Sequence, residues 1–304
     1  MAIQREIWQD HIEGNLFKNN EFLLASTDAS QFVLQGKVVH IPQAGALPNV
    51  AVNRSSVPAT VVQRGDTDIT YSLDEYSTDP ILIPNIENFE LSYSKRESVL
   101  GEHEASLRQA IADTLLVKWA PTGDSGLVLR TAGASTATHL DGTTGNRKKF
   151  TIQDLKNAQN RMNKQNVPME SRYALMSSDM LQQLTDDMSA TQYRDFSAAF
   201  DAKDGVLGKL FGFNIMMRSA VLSYDNGLSP AVKAAGMTAA ATDNDGVLCW
   251  QTGFVERAIG QINFFEKIGD PTYYGDVYSV SVRMGGRMRR ADAKGVIAIV
   301  QAAA

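Results

Sequence analysis

The side chains best suited to chemistry are few and scattered. Four histidines, His11, His40, His103 and His139, stand far apart, and none forms the H-x-x-x-H pair that sets two ring nitrogens on one helix face, so no metal site is expected. The single cysteine, Cys249, lies in the apolar run Val247-Leu248-Cys249-Trp250 and reads as a buried thiol. Being alone, it also excludes an internal disulfide or a thiolate cluster. A phosphate-binding loop would need Gly-x-x-x-x-Gly-Lys-Ser/Thr, but Gly208-Lys209 has Lys203 at the first glycine position and Leu210 after the lysine. Asp243, Asp245 and Gly246 suggest a calcium loop only until its twelfth position, which is Phe254 and not a bidentate glutamate. No G-x-S-x-G elbow presents a serine nucleophile. The carboxylate pairs Asp186/Asp187 and Glu102/Glu104 fall within helical stretches and read as solvated charges; His103 reads as a satisfied packing residue. The expectation is therefore no catalytic residue, no cofactor and no metal.

Composition narrows the remaining classes. A 43% hydrophobic and 21% charged chain of 304 residues has the make-up of an ordinary globular protein, so disorder is not the default. The formal net charge of −5 opposes a dedicated nucleic-acid binder, whose affinity rests on excess Lys and Arg facing phosphates. The local basic groups, Arg147 to Lys149 and then Arg283, Arg287, Arg289, Arg290 and Lys294, read as solvated loop or strand charges. Residues 1 to 10 are charged without a signal-peptide core, and no apolar run reaches the roughly 18 residues a bilayer span needs. No membrane partner is expected, and the chain reads as cytosolic when made.

The elements that would position such residues follow from periodicity. Residues 1–35 scatter Trp8, Ile12, Leu16, Phe17, Phe22 and Leu23 among polar groups, the pattern of an arm seeking a partner surface. Lys37 to Pro42 is β-branched and Thr67 to Leu73 alternates with period two, giving two strands. Between them, Gly45, Pro48, Asn53, Pro58 and Gly65 mark a connection of roughly 25 residues, well beyond a compact hairpin loop. Ser94 and Glu97 predict a capping box for a helix that Pro121 stops, a rod of roughly 38 Å. Leu100, His103, Leu107, Ile111, Thr114 and Leu115 share its buried side, while Glu104 and Arg108 form an i,i+4 pair on another. Gly101 is explained if another backbone approaches there.

A second capped helix is predicted from Thr151 and Asp154, burying Ile152, Leu155, Ala158 and Met162 and ending at Asn166 to Pro168. Tyr173 to Met176 reads as a strand before a Ser-capped helix with Met180, Leu181 and Leu184. Alternating Phe211, Phe213 and Ile215 predict a strand, as does Gly246 to Trp250, and Ser229-Pro230 could start a short helix. Tyr278 to Met284 and Gly295 to Val300 read as paired strands joined through Gly285, Gly286 and an Arg-rich turn. The fold class is α+β, with long strands outside the compact body.

In this order the elements resemble the HK97-like major capsid proteins of tailed bacteriophages over nearly the whole chain. The resemblance rests on the helix around Leu155 to Met162, on Tyr173 to Leu181, on Gly208-Lys209-Leu210-Phe211-Gly212-Phe213-Asn214-Ile215, and on Tyr273 to Ser279, Arg283 to Gly286 and Gly295 to Val300. It implies an N-terminal arm (1–35), an extended hairpin or E-loop (36–91), a P-domain spine helix (92–120), an A-domain (121–265) and closing P-domain strands (266–304). It also implies hexamers and pentamers that close an icosahedral head around double-stranded DNA, with only non-specific DNA contact. Candidate subunit-contact residues are Trp8 and Phe17 on the arm and Val38, Ile41, Arg54, Arg64, Ile69, Tyr71 and Leu73 on the hairpin. A portal protein and decoration proteins would be further partners in the virion, with assembly in the host cytoplasm.

Two departures limit what carries over. No long charged scaffolding segment precedes the arm, which implies a separate scaffolding protein or none. Some members cross-link subunits through an E-loop lysine, but no lysine occurs between Val38 and Ser94, leaving Lys37 at the foot of the hairpin. An encapsulin-like nanocompartment shell is the alternative with the same fold. From another class, an enzyme with an unrecognised site would show clustered, perturbed acids in one deep pocket.

Overall fold

A computed structural model describes residues 20–34, 37–43, 50, 52–54, 58, 61, 63, 65, 67–84, 95–123, 126–201, 203–290 and 292–304. In chain order the strands and helices are β1 (Thr27–Asp28), β2 (Val33–Leu34), β3 (Val38–Gln43), β4 (Thr67–Ser72), β5 (Asp74–Ser77), β6 (Ile81–Pro84), α1 (Lys95–Trp119), β7 (Val128–Arg130), β8 (Ser135–Ala137) and β9 (Asn146–Lys148). There follow α2 (Ile152–Lys164), β10 (Arg172–Ser177), α3 (Ser178–Asp186), α4 (Ala190–Ser197), β11 (Gly208–Leu210), β12 (Phe213–Arg218), β13 (Leu222–Tyr224), β14 (Asn244–Gln251), β15 (Val255–Asp270), β16 (Gly275–Met288) and β17 (Val296–Val300).

Two sheets carry the body. One has the order β11-β12-β10-β14-β17-β7, with β13 also on β14. It is buried on both faces: Val247, Cys249, Ile297 and Ile299 meet α2 and α3 through Leu155, Ala158, Met162, Met180 and Leu184, while Leu248, Trp250, Ala298 and Val300 face the other core. Double burial is why these strands read as unbroken apolar runs. The other sheet is β1-β15-β16-β5, with β6 also on β16. Tyr278, Val280, Val282 and Met284 of β16 lie in one core with Leu107, Ile111 and Leu115 of α1. Trp119 and Trp250, with ring centroids 6.0 Å apart, join the two sheets at the end of α1.

Local signals explain the helices. Thr151 and Asp154 form the expected capping box of α2, and the predicted stripe Ile152, Leu155, Ala158 and Met162 is buried. Ser177 caps α3 by accepting the Met180 N–H. On α1, His103, Leu107, Ile111 and Leu115 are buried as expected; its predicted Ser94 cap lies outside the described residues.

Several expectations need correction. Residues 20–34 are no free arm: Phe22 and Leu23 are buried in their own subunit, Phe22 edge-on to Trp119 at 6.3 Å. The segment 36–91 is not all hairpin, because β5 and β6 pair with β16. The boundary at 265 cuts through β15, and β17 leaves the closing strands to pair with β14 and β7. The stretches 278–284 and 295–300 are therefore not partners; β16 pairs with β15. Phe211 lies in the turn between β11 and β12 at φ +50°, so the strand starts at Phe213. No helix follows Ser229, where Val232 instead bridges to Tyr224. Glu104 is buried on α1, and at Gly101 nothing among the described residues approaches within 4 Å of a Cβ position.

Candidate assembly surface

The hairpin β3–β4 is antiparallel, with Val39 opposite Tyr71, Ile41 opposite Ile69 and Gln43 opposite Thr67. Because side chains alternate across a strand, Val39, Ile41, Ile69 and Tyr71 share one face and Val38, opposite Ser72, takes the other. The first face is closed internally near its base: Val39, Ile41 and Leu73 are buried with Ala29 and Ala258, and Phe32, Val33 and Tyr71 pack beside them. Arg287 covers the Tyr71 ring at 5.4 Å, and burial pushes the Tyr71 phenol well up.

The candidate contact residues thus divide. Ile41 and Leu73 pack in their own subunit; Val38, Ile69 and Tyr71 keep part of their surface; Arg54 is exposed. Trp8, Phe17 and Arg64 lie outside the described residues. The apolar groups that lack cover are on the long connection instead, where Val50, Val52 and Val61 are 84%, 85% and 96% exposed. Sequence reasoning passed over them because glycines and prolines dominate that stretch, although the Val50/Val52 alternation was a usable signal.

The structure also assembles a serine, a histidine and an aspartate that sequence spacing hides. Ser177 donates its hydroxyl hydrogen to Asp245 Oδ2 at 2.5 Å, and His139 Nε2 meets the same oxygen at 2.9 Å. In a nucleophilic triad the serine proton goes to the imidazole and the carboxylate holds the far ring nitrogen. Here both side chains bond one carboxylate oxygen, and the Ser177 oxygen also caps α3. The Ser177 proton thus points to the carboxylate and not to the imidazole, which is not the triad arrangement. Burial alone would lower the His139 pKa, but the hydrogen bond and charge of Asp245, with the charge of Asp179, outweigh it and raise the value. The group lines a cavity of about 460 Å³ together with Asp113, Asp141 and Lys233.

Cys249 and His103 are both buried. Burial pushes the Cys249 thiol well up, away from thiolate character. His103 sits 2.9 Å from the Thr78 hydroxyl through Nδ1, and burial lowers its pKa. Among the described residues no three metal-ligating side chains converge, and no helix is long and apolar enough to cross a membrane.

Among the basic groups Lys149, Arg289 and Arg290 are exposed, as a solvated charge would be, and Arg147 is the departure. Arg147 is buried and donates to the carbonyls of Thr144, Asn146, Ala241 and Asp243. Arg283 pairs with Glu75 at 2.9 Å, Arg287 with the buried Glu256 at 2.7 Å, and Arg290 with Asp292 at 2.9 Å.

A family model described as phage capsid protein matches residues 110–302. No curated protein matches the chain in sequence. Among solved structures, the capsid of Ralstonia phage GP4 is similar with a TM-score of 0.67 at 12% identity, over 92% of this chain and 87% of that one. The capsid of cyanophage P-SCSP1u gives 0.62 at 18% identity, over 92% and 86%. The head of Helicobacter pylori bacteriophage KHP40 gives 0.59 at 10% identity, over 91% and 89%.

Proposed function

Since this chain belongs to the phage capsid protein family, we propose that it is the major subunit of an icosahedral head and acts by association with copies of itself, without catalysis. The observation that carries this reading is the family match across residues 110–302, which runs through both sheets. The α+β fold is the HK97-like one shared with the phage shells above, and an encapsulin-like nanocompartment is not favoured.

In this reading the subunits form hexamers and pentamers, and the hairpin from residue 36 to Leu73 is the E-loop. Its exposed Val50, Val52, Arg54 and Val61 meet a neighbour, while its base is part of the subunit. The spine is α1; the P-domain sheet is β15 and β16 with β5 and β6; the A-domain is built on β10, β12, β14 and β17. Residues 1–19, with Trp8 and Phe17, supply the arm. A portal protein, and scaffolding or decoration proteins where the phage has them, complete the head, which assembles in the host cytoplasm and holds double-stranded DNA through sparse, non-specific contacts. Those contacts fall to exposed basic groups such as Lys149, and they weaken with salt.

Sedimentation of the purified chain tests the proposal. Capsomer rings or closed shells are expected, and a single species of 33.2 kDa at every salt and protein concentration would overturn it.

A further inference from the structure

The buried stripe of α1 includes a histidine whose ring is only half accounted for. His103 is 4% exposed, in register with Leu107, Ile111 and Leu115, where an aliphatic side chain would pack without any polar cost. One ring nitrogen is satisfied. Nδ1 lies 2.9 Å from the Thr78 hydroxyl, whose oxygen also accepts the Val280 N–H at 3.0 Å. Nε2 has no hydrogen-bond partner. Whichever nitrogen carries the proton, a polar atom is left unsatisfied at that edge of the ring, and native interiors seldom leave such an atom without something to fill its place.

His103 also lines a cleft of about 610 Å³ between α1 and the β5–β6 segment, within the size range of small-molecule sites. Leu107, Ala110 and Ile81 give the cleft apolar surface, and Asp79 and Glu102 give it carboxylates. Among the described residues no lysine or arginine lines it. Glu75, on the same cleft, is held by Arg283 at 2.9 Å, whereas Asp79 and Glu102 form no ion pair among the described residues. Burial lowers the His103 pKa against the opposing pull of the Glu102 charge, so the ring is neutral and one nitrogen carries a lone pair. When the Thr78 hydroxyl hydrogen turns to the Val280 carbonyl, 3.4 Å away, Nδ1–H donates to Thr78 and the lone pair stands on Nε2. An acceptor beside two unpaired carboxylates and an apolar wall matches a ligand with N–H donors, positive charge and a short carbon chain. A metal ion is a poorer match, because no three ligating side chains converge among the described residues.

We infer that this cleft binds a short alkyl diamine, with His103 Nε2 accepting a hydrogen bond from an ammonium group while Asp79 and Glu102 balance the charge. The inference does not depend on the shell reading, and its test needs no assembly. Calorimetric titration of the purified full-length chain with 1,4-diaminobutane, at fixed ionic strength, should give saturable binding at one site, and 1,4-butanediol, with the same chain and no charge, should give none. His103→Leu should weaken binding by about tenfold or more. The double variant Asp79→Asn/Glu102→Gln alters only exposed positions and should keep the wild-type circular dichroism while weakening binding by about fivefold; it decides the matter by itself if His103→Leu does not fold. Absence of saturable heat would mean that the cleft holds water only. Wild-type affinity in the variants would mean diffuse attraction to an acidic chain. The same ammonium group ends a lysine side chain, so Nα-acetyl-lysine amide is titrated in parallel, and tighter binding of that compound than of the diamine would assign the cleft to a protein partner. Each of these three results overturns the inference.

Discussion

Trp119, the last residue of α1, donates its indole N–H to the backbone carbonyl of Glu256 across 3.1 Å. That bond ties the long helix to the first residues of β15, at the point where Gly286 of β16 also arrives: a Cβ there would lie 2.5 Å from the same Glu256 oxygen and 2.7 Å from Leu115. The junction is fully buried, so its polar groups have no water to fall back on.

Trp119→Phe should therefore destabilise the unassembled subunit by about 1–3 kcal/mol, from the unsatisfied carbonyl and the lost ring volume. Gly286→Ala should cost about as much through overpacking. Urea unfolding checks both, and neutrality of either variant would show that the junction yields more easily than its packing implies.

Much of this architecture was legible before the fold. The Thr151/Asp154 box and its 3.6-residue stripe specify α2 locally, and the alternation from Thr67 specifies β4. The long ribbon was not legible. β15 breaks its alternation at a register shift between Ile259 and Ile262, which hides a 16-residue strand. Gly285 and Gly286 read as a turn, but they are glycines because Leu73 and the Glu256 carbonyl press against them inside a continuing strand. The Ser177, His139 and Asp245 cluster spans 106 residues of sequence and carries no spacing signal at all.

His139 supplies a pH dependence. Its folded pKa is raised, so the His139–Asp245 contribution is fully present below the ordinary histidine value and is lost as pH rises through the folded one. The stability difference between wild type and His139→Gln should be largest below the ordinary histidine value of about 6.5 and shrink as pH rises above it. Denaturant titrations at several pH values measure it, and a gap that widens with pH would reverse the assignment.

The hairpin can be shortened without touching its base. Since Gln43 pairs with Thr67, an Asn-Gly turn can replace residues 44–66 and close the same register. The variant should keep the wild-type far-UV circular dichroism and melting temperature yet form no closed shells. Normal assembly would show that the connection makes no essential contact; global unfolding would show that it belongs to the subunit core.

Covalent cross-linking through the hairpin is not expected, because no lysine lies between Val38 and Ser94. Assembled shells boiled in SDS should return single chains of 33.2 kDa. A ladder of multimers would point to Lys37 or to a nucleophile elsewhere.

Electron microscopy of the chain expressed by itself and purified without a partner bears most directly on the central claim that this subunit builds a shell from copies of itself. The account predicts hexameric and pentameric rings or closed icosahedral particles; uniform monomers at every concentration and salt tried would contradict it.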